Sequence, residues 1–334
     1  MGLSCDVPRY VIFAGAGADN ELGLPSTQLR LLQALQTELK VPVILVLVNG
    51  LAVSIPWAAA NVPAVIEALR GGQSAGTALA SALWGDFSPL GRLPYSIVKG
   101  VAQLPDFGDM DLLKGRTYRY YNATKFGAPL VYQFGDGLAY STFKYSGIKI
   151  SRAEVPKGTK VQQGACYPVT VNVTLTNTGK VPAKEVAQLY VSIGNGAAVN
   201  LPPAAATAAA APPGPSPCWP NCAGSQANPF AVVRPNAEMR GATVTPELAP
   251  GASVQLSWTL TARDISVVYR DGERYVEPGV VGVHVGGSAP HGLASGGMVS
   301  SRFATPGFAP LQLKGLCPLS ARQFWHPTRA ELGL

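Results

Sequence analysis

The strongest constraint on the fold is an uninterrupted apolar run, VPVILVLV, at residues 41–48. Its short length and its β-branched residues predict a strand over 43–48 rather than a helix. A strand that is apolar on both sides belongs in a sheet covered on both faces, as parallel sheets are. The run is far shorter than the ~18–20 apolar residues of a membrane helix, so we expect no membrane span.

The segments around this run continue an α/β pattern. Residues 10–15 predict a strand, and Pro25 then opens a helical pattern of leucines. The segment AVIEAL at 64–69 is either a third strand or a short helix, because periodicity does not separate the two. GGQSAGTALASALWGD follows and predicts a helix that ends at Gly85. Strand and helix in alternation indicate a mostly parallel sheet with helices on both faces.

Beyond about residue 150 the apolar period changes from runs to alternation. In YPVTVNVTLTNTG, apolar residues alternate with threonines and asparagine from Val169 to Thr176. VAQLYVSI, VQLSWTL, RYVEPGVVGVHVGG and SSRFAT continue the series, which predicts an antiparallel β-sandwich. The Ala/Pro/Gly-rich stretch at about 194–229 predicts a disordered insertion within this sandwich.

The glycine-rich segment YVIFAGAGADNELGLPSTQ, residues 10–28, predicts a ligand-binding loop after a strand. It does not fit a dinucleotide fingerprint, because the position three residues after Gly17 is Asn20 rather than glycine. Asp19 and Glu21 remain as candidates. They are either ligand-binding carboxylates beyond a parallel strand or solvated turn residues before a helix N-terminus, where negative charge is favoured.

Two further segments are rich in turns and aromatic residues. LWGDFSPLGRLPYS, at 83–96, reads as a loop, and residues 106–145 hold six tyrosines together with Arg116 and Arg119. Aromatic faces beside polar side chains suit the stacking of sugar rings, and they equally suit a packed interface between an α/β layer and a sandwich. The sequence leaves both interpretations open.

Charge and cysteine usage exclude several classes of site. The formal net charge is +7, but the basic residues are scattered, so we expect no nucleic-acid surface. Cys218 and Cys222 are separated by three residues, which matches neither a redox motif nor a zinc site; they predict a local disulfide or two free thiols. The three histidines lie in no metal or triad setting and are expected to be structural. We therefore expect no metal and no cofactor.

Two sequons, at Asn122 and Asn172, are permissible N-glycosylation sites if the chain is secreted. The N-terminal residues MGLSCDVPRY show no secretory signal pattern, which would require a basic start followed by an apolar stretch.

Several segments, taken in order, carry a resemblance to a known family. They are VPVILVLVNG, GGQSAGTALASALWGDFSPLGRLPYS, GRTYRYY, LVYQFGDGLAYSTFKY, VTLTNTGKVPAKEVAQLYVS and the late LAPGASVQLSWTL with YVEPGVVGVHVGGS. Over roughly residues 8–290 they resemble glycoside hydrolase family 3, and GRTYRYY favours its β-xylosidase and α-arabinofuranosidase branch. The last segments resemble the fibronectin type III-like module that ends many members.

The resemblance implies three parts. Residues 8–145 are identified as an N-terminally truncated C-terminal α/β domain of the family. Residues 146–290 are identified as the fibronectin type III-like sandwich, and residues 291–334 form a tail. The family implies a retaining β-glycosidase without metal or organic cofactor, which acts on glycans through two carboxyl groups ~5–5.5 Å apart. The family is mostly extracellular or vacuolar.

The chain departs from the family pattern at the site. It begins inside the family's second domain, so the (β/α)8 barrel that carries the nucleophilic aspartate lies outside it. The loop GADNELGLPSTQ is shorter than in relatives, which leaves Glu21 as the candidate acid/base and Asp19 as the candidate substrate-binding residue. We expect the isolated chain to be inactive, either as part of a split or longer β-xylosidase-like enzyme or as a non-catalytic carbohydrate-binding or structural remnant.

Overall fold

The computed structural model describes residues 2–4, 22–39, 41–121, 129–152, 168–193, 234–268, 274–276, 279–290, 298–305 and 311–312. The chain divides into two compact units, residues 1–138 and residues 139–334.

The first unit alternates short strands with helices. Its elements are β1 (Gly2–Ser4), α1 (Ser26–Glu38), β2 (Ile44–Val48), α2 (Pro56–Asn61), β3 (Ala64–Glu67), α3 (Ala75–Trp84) and α4 (Thr117–Tyr120), with 3-10 turns at Val101–Gln103 and Leu112–Lys114. The three strands form one sheet in the order β1-β2-β3, and both pairs are parallel. The predicted strand over 43–48 is confirmed, and the ambiguous segment at 64–69 contains a strand.

Parallel pairing between strands is confined to this sheet, and the other sheets of the described chain are antiparallel. The expectation of a mostly parallel sheet with helices on both faces is therefore correct only in its coarser form, a mixed α/β layer followed by β structure. The strand predicted over 10–15 lies outside the described residues. The strand β1, which the sequence did not predict, pairs with β2.

The core of the first unit lies on one side of β2. Leu45 and Leu47 point to the same face, because side chains alternate along a strand, and both are at most 1% exposed. They pack in one cluster with Leu32 of α1 and Ala58 of α2. The sequence did not predict helix α2, because six residues are too few to show a helical period.

Helix α3 ends as predicted. Gly85 follows it with φ +82°, the left-handed conformation that glycine adopts without a steric penalty. The Gly85 amide donates to the carbonyl oxygens of Ser81 and Ala82, which satisfies groups that the helix end leaves unpaired.

The second unit consists of strands. They are β4 (Phe143–Arg152), β5 (Val169–Asn177), β6 (Val186–Ile193), β7 (Glu238–Val244), β8 (Ser253–Leu260), β9 (Val267–Val268), β10 (Arg274–Val276), β11 (Gly279–Gly286), β12 (Val299–Thr305) and β13 (Leu311–Gln312). They form a three-stranded sheet β4-β5-β8, a four-stranded sheet β12-β11-β6-β7 and a small sheet β13-β10-β9.

The predicted antiparallel sandwich is confirmed. Along β5 the side chains alternate between buried and half-buried, as the sequence pattern required. The buried residues of β4, β5 and β8 pack in one cluster with those of β6 and β11, which belong to the other large sheet. Two antiparallel sheets that share one apolar core are a β-sandwich.

The strands extend across the predicted domain limits. Strand β4 crosses the limit between residues 145 and 146, and β12 lies beyond residue 290 yet pairs with β11 along its length. The predicted insertion at about 194–229 lies outside the described residues. Apart from 298–305 and 311–312, so does the predicted tail, 291–334.

One histidine sits inside the four-stranded sheet. The His284 ring is fully buried, with Nε2 3.0 Å from Ser192 Oγ on β6 and Nδ1 2.9 Å from Ser300 Oγ on β12. Burial lowers the pKa of His284 to about 4, so the imidazole is neutral near pH 7. The structure supports the expected structural role for His284; His291 and His326 lie outside the described residues.

Candidate functional site

The described part of this region begins at Leu22, directly after the candidate acid/base Glu21. Asp19 and Glu21 lie outside the described residues, so both roles stay predictions. Leu22 and Gly23 follow directly and are held in place, since the Ser54 amide donates to the Leu22 carbonyl oxygen at 2.8 Å and Gly23 bridges Ser54 in parallel. The C-terminal end of the loop is therefore anchored to the connection that follows β2.

The anchor continues into a third segment of the chain. The Ser54 side chain is 6% exposed, and its Oγ lies 2.8 Å from the carbonyl oxygens of both Val98 and Lys99. One serine thus joins the segment after Glu21 to the segment after the GRLPYS motif. No local sequence pattern predicts this contact, because Ser54 lies 44 positions before Val98 and 45 before Lys99.

A cavity of about 370 Å³ opens beside this anchor. Its wall is mostly apolar, with Trp57 and the Lys99 side chain as larger lining groups and Leu22–Leu24, Leu29, Ser54–Ala58 and Lys99–Val101 around it. This volume is at the lower end of the ~300–1,000 Å³ typical of small-molecule sites. The cavity and the end of the predicted loop share Leu22 and Gly23, so a ligand here would lie next to that loop.

Two polar side chains that the sequence analysis did not single out meet at the carboxyl ends of β2 and β3. Asn49 follows β2 and is 1% exposed, and its Nδ2 donates to Oε2 of Glu67, the last residue of β3, at 3.4 Å. Burial raises the pKa of the Glu67 carboxyl, while hydrogen bonds from Asn49 and from the Leu69 amide act to lower it. The available signal was the single acidic residue inside the apolar segment AVIEAL.

The two turn-rich segments pair with each other. The Ile97 amide donates to the Tyr132 carbonyl oxygen at 2.8 Å, and the Gly135 amide donates to the Leu93 carbonyl oxygen at 2.8 Å. The guanidinium of Arg92 donates to the Gly137 carbonyl oxygen at 2.7 Å. The GRLPYS and VYQFGDG motifs therefore form one ladder.

Some rings of the aromatic segment pack within the first unit. The rings of Tyr118 and Phe134 stack with centroids 4.2 Å apart and planes 11° apart. Tyr121 is 4% exposed and its hydroxyl accepts a hydrogen bond from Gln103 Nε2 at 2.9 Å. These contacts lie within the first unit and do not decide between sugar stacking and an interface with the sandwich, so both interpretations of the aromatic segment stay open.

The arginine of the GRTYRYY motif holds a loop. Arg116 Nε donates to the Asp109 carbonyl oxygen and Nη2 to the Asp106 carbonyl oxygen, both at 2.8 Å. Arg116 thus braces the turn at 106–109. This turn borders a second cavity of about 340 Å³, and at its rim exposed Lys114 hydrogen-bonds to Asp109 and so lowers the pKa of that carboxyl.

The remaining predicted sites are settled only in part. Cys218, Cys222 and Asn122 lie outside the described residues. Asn172 lies on β5 between buried Val171 and Val173, so its side chain is on the half-buried outer side of the strand; its glycosylation stays a prediction. Within the described ranges, no three His, Cys, Asp or Glu side chains group closely enough to hold a metal ion. None of the helices described is long and apolar enough to cross a membrane.

Family models match both units. Residues 8–140 match the glycosyl hydrolase family 3 C-terminal domain, and residues 226–289 match the fibronectin type III-like domain. A β-xylosidase of Formosa agariphila is 31% identical over 283 residues, which cover 82% of this chain and 32% of that protein. The thermostable β-glucosidase B of Acetivibrio thermocellus is 33% identical over 198 residues, 54% of this chain and 25% of that protein. The chain thus spans a third or less of these relatives.

The fold has matches among solved structures. The crystal structure of a β-glucosidase from Bifidobacterium adolescentis aligns with 99% of this chain and 41% of its own chain, at a TM-score of 0.65 and 24% identity. At that identity the match supports the fold alone. The two family models, together with the β-xylosidase that is 31% identical over 82% of this chain, show that the chain belongs to glycosyl hydrolase family 3, of which it carries the C-terminal domain and the fibronectin type III-like domain.

Proposed function

We propose that this chain is the C-terminal part of a retaining β-glycosidase that releases xylose-type units from xylan or related hemicellulose. The observation that carries the proposal is the collinear match to a β-xylosidase over 82% of the chain. β-Glucosidases also match, over shorter parts of the chain. The relatives therefore support the glycosidase class more strongly than they support xylose as the sugar. By family, the place of action is extracellular or vacuolar.

The proposed chemistry needs two carboxyl groups. In a retaining enzyme one attacks the anomeric carbon, and the other protonates the leaving oxygen and later removes a proton from water. Glu21 is our candidate for the second carboxyl and Asp19 for a substrate hydroxyl partner. The anchored segment Leu22–Leu24 and the neighbouring cavity support a ligand site beside this loop. The nucleophile would come from a (β/α)8 barrel, as a further domain or a separate partner.

The first test is hydrolysis of an aryl β-xyloside by the purified 334-residue chain. We expect no turnover, because half of a two-carboxylate pair does not form the glycosyl-enzyme. Turnover at about 1 s⁻¹ or faster, within the usual enzyme range, would contradict the proposal.

The second test supplies the missing part. The barrel of the Formosa agariphila β-xylosidase is joined to this chain, and we expect xyloside hydrolysis that Glu21→Gln reduces by about 10²–10⁴-fold, the usual contribution of a general acid/base. Azide should restore turnover of aryl xylosides in that variant, because it needs no general base. Glu38→Gln, at the exposed end of α1, is the matched control and should keep full activity.

The alternative is a non-catalytic module that binds glycans or has a structural role. It would be favoured if the chain bound xylo-oligosaccharides by itself with unchanged affinity after Glu21→Gln while the joined enzyme stayed inactive. A joined enzyme that hydrolyses glucosides but not xylosides would retain the glycosidase class and correct the sugar.

A further inference from the structure

The carboxyl edge of the parallel sheet holds a pair of side chains outside the proposed catalytic loop. Asn49 and Glu67 end adjacent strands and are joined by the 3.4 Å contact between Nδ2 and Oε2. The carboxyl ends of parallel strands are where open α/β folds place functional groups. The residue two positions after Glu67, Leu69, has φ +51°, a conformation that a leucine rarely adopts.

Two oxygens of this pair need explanation, the amide oxygen of Asn49 and the second carboxyl oxygen of Glu67. Asn49 Oδ1 and Glu67 Oε1 are both buried, and within the described part of the chain neither has a hydrogen-bond partner. The Leu69 amide, which also acts to lower the pKa of the Glu67 carboxyl, makes no hydrogen bond to Oε1. A buried acceptor without a donor destabilises the folded chain, because it has lost its hydrogen bonds to water. Two acceptors do not satisfy each other unless one of them carries a hydrogen. An amide oxygen carries none, so the hydrogen would have to be on the carboxyl group.

We propose that Asn49 and Glu67 form a proton-binding pair in which Glu67 Oε1 carries a proton and donates it to Asn49 Oδ1, while Asn49 Nδ2 donates to Glu67 Oε2. One proton, taken up from solvent, then satisfies both orphan oxygens. The planar amide and the planar carboxyl are joined by two hydrogen bonds in place of one. When the proton leaves, both oxygens are again without a donor, and the carboxyl group carries a charge.

The surroundings favour the protonated form. Burial is the largest influence on Glu67 and raises the pKa of its carboxyl. The charge of Glu67 acts on Tyr95. Burial, and after it the Glu67 charge, raises the pKa of Tyr95 to about 12, so its phenol is neutral near pH 7. The guanidinium of Arg70 lies beside Gly50, where an added Cβ would meet Nε at 3.0 Å. It is not among the influences that shift the pKa of Glu67.

The pair fixes the start of the β2–α2 connection. Five residues after Asn49, Ser54 holds Leu22, the first described residue after Glu21. Because the folded-state pKa of Glu67 is raised, the pair's contribution to stability is present at low pH and is lost as the pH rises through that pKa. We expect the β2–α2 connection to be held less firmly at pH values above the folded-state pKa of Glu67.

The direct test is an NMR titration of the full chain with labelled glutamate and asparagine. We expect the Glu67 carboxyl carbon and the Asn49 side-chain amide to titrate together, at a pH above the ordinary glutamate value of ~4.3. In Glu67→Gln, whose amide donates where the acid proton did, the Asn49 signal should no longer move. A Glu67 carboxyl that titrates at or below the ordinary value would overturn the proposal.

The second test needs no assignment of resonances. The unfolding equilibrium constant of Glu67→Gln, divided by that of the wild type, should decrease with pH, by up to tenfold per pH unit between the unfolded-state and folded-state pKa of Glu67. Tyr95→Phe is the control and should keep the wild-type pH dependence, because the phenol makes neither bond. A constant ratio from pH 4 to pH 8, or a Glu67 signal that changes with Tyr95→Phe but not with Asn49→Ala, would also overturn the pair.

Discussion

The two units bury their apolar residues in different amounts. In the described chain, the sandwich cluster of the second unit contains seventeen buried residues, whereas the cluster beside β2 in the first unit contains eight. In the first unit, single polar side chains reach backbone groups far along the chain, such as Arg92 to Gly137 and Ser54 to Lys99. In the second unit Asn177 Nδ2 likewise donates to the Leu248 carbonyl oxygen, so the units differ in the size of the packed core and not in this use of polar side chains.

The comparison is tested most severely in the cores. Leu175→Ala on β5 removes a fully buried side chain from the larger cluster, and we expect it to lower the free energy of unfolding by about 3–5 kcal/mol. Leu47→Ala on β2, equally buried, should cost about 2–3 kcal/mol, because the smaller cluster relaxes more readily into the space. Urea unfolding measures both.

Thr170→Ala, on the outer side of β5, is the control for the core variants and should change the unfolding free energy by under about 1 kcal/mol. Equal costs for Leu175→Ala and Leu47→Ala would break the comparison.

The two units should also respond to pH in opposite directions. His284 has a folded-state pKa of about 4, below the ordinary value of about 6.5, so its contribution is complete above pH 6.5 and is lost as the pH falls towards 4. The expected loss is up to about 3 kcal/mol. Glu67, in the first unit, has a raised pKa and acts in the other direction.

Chemical unfolding of the wild type and His284→Gln from pH 7.5 to pH 4.5 tests the histidine. The stability of the wild type should fall relative to that of the variant across this window. Parallel curves would show that the pKa of the His284 imidazole is the same in the folded and unfolded chain, and would remove the contrast in pH response between the units.

The backbone ladder of the first unit predicts an intolerant glycine. A Cβ on Gly137 would lie 2.3 Å from the Gly91 carbonyl oxygen and 2.6 Å from Arg92 Nη1. Gly137→Ala should therefore cost about 1–3 kcal/mol and open the ladder. A Cβ on Gly91 meets nothing within 4 Å, so Gly91→Ala should be close to neutral. Thermal unfolding of the pair of variants checks both, and equal effects would count against the ladder.

The smallest expected effect concerns the turn at 106–109. Arg116→Lys loses the fork that reaches two carbonyl oxygens and should cost about 1 kcal/mol. Hydrogen exchange of the Gly108 and Asp109 amides should accelerate. Arg30→Lys, exposed on α1, should leave the exchange of these amides unchanged. Unchanged exchange in Arg116→Lys would show that the loop does not depend on this side chain.

The sequence by itself determined the elements whose signal is local. The run at 41–48 specified β2, the alternation from Val169 specified β5, and Gly85 marked the end of α3. These assignments succeed because side-chain period and glycine conformation act over a few residues. The collinear motifs likewise identified the family, whereas the roles of Asp19 and Glu21 stay predictions.

Only the tertiary structure decided which segments meet. Asn49 reaches Glu67 across 18 positions, and Arg92 reaches Gly137 across 45. The structure also shows that the rings of Tyr118 and Phe134, sixteen positions apart in the sequence, stack on each other. The physical reason is that a side chain's hydrogen-bond partner, its burial and therefore its pKa depend on neighbours brought together by folding. No local pattern contains those neighbours.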